Sequence, residues 1–197
     1  MYRYAEGNGT AARFNEITDI DFLSTTELIC TDRNNHCLRL VDFTPSPPET
    51  SMFAGTCTLP GNTDGHRLSS ALFRFPAYTE VNNNKSILFV LHVDDRVSLR
   101  MIDLKTENVT KLITFNDNIY DMKLFGNSML YLAQATRVTV FNLGTKEERV
   151  VADGARGRFD FAYGLWPWRD EGKIILLVAD ALNNRFANCS CHIRIYI

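Results

Sequence analysis

No run in this sequence is long and apolar enough to cross a bilayer. The longest, such as Ile174–Ala179, falls far short of the ~20 residues a spanning helix needs. Clusters of Lys and Arg are also missing, and the net charge is −2, so the footprint of a nucleic-acid binder is absent. There is no HExxH, no Gly-x-Ser-x-Gly, no glycine-rich phosphate loop with Lys and no CxxC pair, which removes the common signatures of hydrolases, nucleotide enzymes and redox proteins. Apolar positions never settle into a 3.6-residue period, so helices are not expected; Ser69–Phe75 is the one brief candidate, and Pro76 limits it. Residues 1–8 lack the apolar core of a signal peptide, and a secreted chain would need its signal from outside this stretch.

What is present is a β pattern. At 197 residues, 45% hydrophobic and 22% charged, the chain suits a single globular domain. Leu28–Cys30 and Leu38–Val41 are short apolar runs around a polar turn, Asp32–Asn35, and read as a hairpin. Ile17–Phe22 before them and Ser51–Ala54 after them complete a four-stranded antiparallel meander.

The meander recurs. Leu38–Phe43 is echoed at Leu99–Leu104, Val138–Leu143 and Ile193–Ile197, each copy preceded by an apolar strand. Residues 102–113 lie over 141–152 at an offset of 39. A period near 40 with four strands per unit signals a β-propeller. The expected blades span about 11–57, 66–116, 117–153 and 156–197, all in one domain covering 1–197. With strands lettered A to D outward, blade two has its A strand at Ala71–Ala77 and blade four at Phe159–Leu165. Two connections share Gly followed by Ala and an aromatic: residues 6–15 and the longer 55–76. Residues 1–10 therefore read as the tail of a preceding blade, blade four lacks strand D, and the chain reads as a wedge of a larger ring.

These residues resemble the NHL-repeat family of propellers, usually six-bladed. Blade one carries Cys30-Thr-Asp-Arg-Asn-Asn-His-Cys-Leu-Arg39, then Ala54-Gly, Asp64-Gly65 and Ala71-Leu-Phe-Arg-Phe-Pro76. Blade four carries Val178-Ala-Asp-Ala-Leu-Asn-Asn-Arg185 and, after six inserted residues, His192-Ile-Arg194. Blades two and three match by strand pattern alone. The resemblance implies a fold and no reaction, because propellers host many functions.

Cys37 faces two candidate partners, Cys57 about a turn near Pro47 and Cys30 across the B–C turn; the resemblance to extracellular members favours Cys37–Cys57. Such a bridge would contribute about 3 kcal/mol. Cys189 and Cys191 cannot easily bridge each other. Four N-x-Ser/Thr acceptors, Asn8, Asn84, Asn108 and Asn188, fall on expected turns or linkers.

The reading is thus a non-catalytic binding platform of a secreted or cell-surface protein. Its partner would be an unidentified protein or glycan, with no cofactor, no metal and no membrane insertion within the chain. Its binding face would be the B–C loops: Asp32, Arg33, Asn34, Asn35; Asp94, Asp95, Arg96; Thr136, Arg137; Asn183, Asn184, Arg185. Turn chemistry alone also accounts for Asp32, Asn34, Asn35 and His36, and the recurring Arg39, Arg100 and Arg194 suit bonds to neighbouring-blade backbone. A propeller hydrolase or lyase with a channel metal is the alternative; His92 with Asp94 would carry it, although zinc needs three protein ligands. Trp166-Pro-Trp168, expected on an A–B turn, suits a cap or a partner contact.

Overall fold

The alternating apolar pattern folds as antiparallel meanders throughout. The structure, a computed structural model, describes residues 4–93, 95–153, 161–170, 173–181 and 192–195. The chain divides into two compact units, Met1–Asn116 and Asp117–Ile197.

The first unit holds two five-stranded sheets. Sheet one contains β1 (Gly7–Asn8), β2 (Ile17–Phe22), β3 (Glu27–Asp32), β4 (Cys37–Asp42) and β5 (Glu49–Ala54), in the order β1-β5-β4-β3-β2. Sheet two repeats this with β6 (Gly65–His66), β7 (Pro76–Val81), β8 (Ile87–Val93), β9 (Val97–Asp103) and β10 (Asn108–Thr114), in the order β6-β10-β9-β8-β7. Ile29, Leu38 and Phe53 of sheet one pack with Leu88, Val90 and Ile102 of sheet two in one buried cluster. Each such side chain contributes about 1.5–3 kcal/mol by leaving water.

The second unit holds a four-stranded sheet, β11 (Ile119–Phe125), β12 (Met129–Gln134), β13 (Arg137–Asn142) and β14 (Glu148–Asp153), in sequence order. Its other sheet is β15 (Ala162–Asp170), β16 (Lys173–Asp180) and β17 (His192–Ile195). Tyr131, Val138 and Val140 pack here with Leu165, Leu176 and Val178.

Two polar devices repeat. At the C–D turns, Asp42, Asp103 and Asn142 close each β4-type strand: their side-chain oxygens accept the N–H groups of Thr44 (2.8 Å), Lys105 and Thr106 (2.9 and 2.8 Å), and Gly144 and Thr145 (2.8 and 3.1 Å). This is an Asx turn, and it explains why the sequence echo ends on Asp or Asn. Asp103 is held below the usual carboxylate range by those amides, Thr106 first. The second device joins innermost strands. Asp19 and Asp21 of β2 accept the N–H groups of Thr79 (2.7 Å) and Val81 (2.5 Å) of β7, and Asp121 of β11 accepts that of Leu165 in β15 (2.6 Å). An inner strand has one edge without a ladder partner, and a neighbouring carboxylate supplies the missing acceptors.

Three expectations are corrected, and the one brief helix candidate is a turn. Blade two's innermost strand is Pro76–Val81, not Ala71–Ala77. Ala71 and Phe73 are buried because the preceding linker lies on its own sheet, not because they are in a strand. Gly7–Asn8 pairs antiparallel with Glu49–Thr50 of β5, so it belongs to the first sheet itself; Gly65–His66 does the same against β10. Residues 69–75 form no helix; the N–H groups of Ser69, Ser70 and Ala71 all converge on the His66 carbonyl in a single turn. Finally, Trp166-Pro-Trp168 lies within β15, with Pro167 opposite Leu176. Proline is tolerated because β15 is an edge strand, where a missing donor costs no ladder bond.

Candidate functional site

The B–C turn of sheet one is built inward before it presents anything outward. Asp32 is buried and accepts four bonds: from the Asn15 N–H (2.7 Å), from Asn35 Nδ2 to both oxygens (2.9 Å each) and from Arg39 Nη1 (3.0 Å). Asn35 is buried with it, in a one-turn 3-10 segment Arg33–Asn35 closed by His36 at φ 62°. Arg33 and Asn34 are half-buried, and both donate to Glu16, Arg33 at 3.2 Å and Asn34 at 2.6 Å. Asp32 and Asn35 therefore support the turn, and only Arg33 and Asn34 meet solvent.

Arg39 and Arg100 occupy one register position, opposite Met52 and Lys111 in the adjacent strands. Both are buried. Arg39 donates to the carbonyls of Ala5 (2.9 Å), Arg13 (3.3 Å) and Ser51 (3.3 Å), with Tyr4 and Phe14 rings 4.7 and 5.1 Å from its guanidinium. Arg100 donates to the Leu72 and Thr63 carbonyls (2.5 Å each) and to Asp64 (2.6 Å), 4.7 Å from the Phe73 ring. Apart from Ser51 in β5, the carbonyls belong to the segment that leads into the arginine's own sheet, where neighbouring-blade backbone was expected. An acid completes each clamp: Glu6 accepts the Met52 N–H (2.8 Å) and Asp64 the Lys111 N–H (2.9 Å). The shared Gly, Ala and aromatic of the two linkers, Phe14 in the first, was the visible trace of this clamp; Glu6 and Tyr4 were missed. Arg194 lies in β17 opposite Ile175.

The other B–C loops are more open. Asp95 and Arg96 are exposed, while Asp94 lies outside the described residues. Thr136 is exposed, and Arg137 is half-buried, paired with Asp117 and bonded to Gln134. Asn183, Asn184 and Arg185 lie outside the described residues, as do Asn188, Cys189 and Cys191.

Cys37 and Cys57 form a disulfide, joining β4 to the start of the 55–75 linker. Cys30 is a buried free thiol whose pKa is pushed up to about 12, by burial first and Asp32 next. Asn8, Asn84 and Asn108 are all exposed, and Ser86 of the second acceptor triplet donates to the Asn84 side-chain oxygen at 2.7 Å. Among the described residues no three His, Cys, Asp or Glu side chains gather as a metal site. No described helix is long and apolar enough to cross a membrane.

Two depressions lie elsewhere. One, about 450 Å³, opens between the two sheets of the first unit over Leu23, Leu40, Phe53 and Leu104. The ion pair of Arg67 with Glu107 flanks it, and His66 also contacts Glu107 at 3.1 Å. Arg67, and then His66, hold Glu107 below the usual carboxylate range. The other, about 300 Å³, lies on the β15–β16 face between Gly164, Ala179, Trp166 and Leu177, with Trp166 62% exposed.

No protein-family model matches the sequence, and no curated protein matches it. Solved structures do. A structural genomics protein of unknown function from Bacteroides thetaiotaomicron superposes with a TM-score of 0.60 at 11% identity, over 90% of this chain and 42% of its own. The WD40 β-propeller domain of Doa1 superposes with a TM-score of 0.55 at 13% identity, over 89% of this chain and 51% of its own. The four sheets are propeller blades, and the chain spans about half the length of the structures it matches.

Proposed function

We propose that this chain is part of an extracellular, NHL-type propeller that acts as a rigid binding platform rather than an enzyme. The observation that carries the reading is the Cys37–Cys57 disulfide, which ties a blade to its outgoing linker. Such a bond persists in oxidising compartments. The exposed glycosylation triplets at Asn8, Asn84 and Asn108 agree with that setting. A larger, six-bladed ring is the proposed context, since the matched structures are about twice as long.

The proposed contact surface is the B–C loops: Arg33 and Asn34, Asp95 and Arg96, Thr136 and Arg137, with Asp94 and Asn183–Arg185 in the same role. Blade strands fix such loops rigidly while leaving their sequence free, as binding surfaces require. The partner class is a protein or glycan. Expression behind a secretory signal tests the setting. Digestion without reduction is expected to yield one peptide linking Cys37 to Cys57, and glycosidase treatment should lower the mass at Asn8, Asn84 or Asn108. Recovery of Cys37 and Cys57 as free thiols on unglycosylated chains would overturn the extracellular reading.

A further inference from the structure

The joint between the first two blades runs through one strained residue. Phe75 has φ 49°. That is left-handed backbone, which a non-glycine residue adopts only at a cost in strain. Pro76 follows it and further disfavours helical backbone at Phe75. Local sequence therefore argues against this conformation, and tertiary contacts must impose it.

Those contacts surround the residue. His36 Nδ1 accepts the Phe75 N–H at 3.2 Å. The Phe75 carbonyl accepts the Val93 N–H at 3.0 Å. The ring stands edge-on to His36, with centroids 4.6 Å apart, and the Arg33 guanidinium lies 5.3 Å from its centre. One residue earlier, His92 Nδ1 accepts the Arg74 N–H at 3.2 Å. Both imidazoles are buried, and each uses the nitrogen lone pair that a proton would occupy.

We infer that His36 is a pH-sensitive latch: taking up a proton at Nδ1 releases the Phe75 amide and lets the strained joint between the first two blades relax. Among the described residues, the charged groups that act on His36 are Arg74 from the linker and Arg33 from its own turn, with Glu16 held on Arg33. Asp32, in the same turn, is committed to Arg39. A new cation at His36 therefore enters a site with two cations nearby. Burial, and then Arg74 and Arg33, lower the pKa of His36 from its ordinary value of 6.5. The sign follows: the folded state favours neutral imidazole, so the latch contributes fully above about pH 6.5 and is lost as pH falls below it.

Residue-resolved amide exchange on the full chain tests this, with rates corrected for intrinsic pH dependence. Protection of the Phe75 amide should fall about tenfold or more between about pH 7.5 and pH 5, as neutral imidazole gives way to its cation. Amides of Leu88 and Val90 in the core should hold. His36→Asn keeps a neutral acceptor and suits positive φ; its Phe75 protection should be flat across the same range. His36→Ala should lose protection at both values, and if it does not fold, the wild-type and Asn comparison decides alone. Equal Phe75 protection at the two pH values in the wild type would overturn the latch. A His36→Asn chain that keeps the wild-type pH dependence would do so as well.

Discussion

At the residue scale, the two buried arginines are twins in register but not in energetics. The partner of Arg39, Asp32, has a side chain 0% exposed, whereas the partner of Arg100, Asp64, is 45% exposed. Replacing Arg39 by Met strands a buried carboxylate, a loss of about 3–5 kcal/mol. Arg100→Met leaves Asp64 free to turn to water, so the loss is the clamp's hydrogen bonds, about 1–3 kcal/mol. Denaturant midpoints of the two variants should separate in that order. Equal midpoints would show that the burial of the partner carboxylate does not matter.

At the element scale, what holds neighbouring blades in step is a carboxylate aimed at a strand edge. Asp121 accepts the Leu165 amide at 2.6 Å, and its counterparts Asp19 and Asp21 do the same for Thr79 and Val81. Hydrogen bonds to charged acceptors are worth about 1.5–3 kcal/mol. Asp121→Ala is expected to lose about that much locally, read as faster exchange at the Leu165 amide with the β12–β13 ladder unchanged. Asp121→Asn, which keeps one oxygen acceptor, should recover part of the protection. No change at Leu165 in the alanine variant would remove this bond from the account. The linkers are elements of the same kind: each adds a two-residue strand to the outer edge of its own sheet and is then pinned by an arginine underneath.

At the scale of the whole molecule, the disulfide is the only covalent tie among the described residues beyond the chain itself. It closes a sequence separation of 20 residues. Loop entropy puts its contribution at about 3 kcal/mol. Replacing both Cys37 and Cys57 by Ser should lower stability by roughly that amount and raise exchange through 55–75. A double variant as stable as the wild type would mean that the Arg100 clamp and the His36 contact hold the linker unaided.

Residue order was enough for the all-β class, the period near 40 and the recurring third strand of each blade, because alternation in a pleated strand and Asx turns are local rules that residues 38–43, 99–104 and 138–143 obey without help. It also carried the Cys37–Cys57 pairing through its family resemblance. Tertiary structure alone decided where Ala71–Phe75 goes, since an apolar segment lying on a sheet and one lying in it have the same composition. It alone turned Asp32 and Asn35 inward, because a polar turn reads the same whether its side chains face water or a buried guanidinium. It alone placed Trp166 in a strand, because Pro167 is compatible with a turn or with an unpaired edge. Phe75 at positive φ before a proline runs against every local preference. Among the described residues, contacts from His36, Arg33 and Val93, distant in sequence, hold it there.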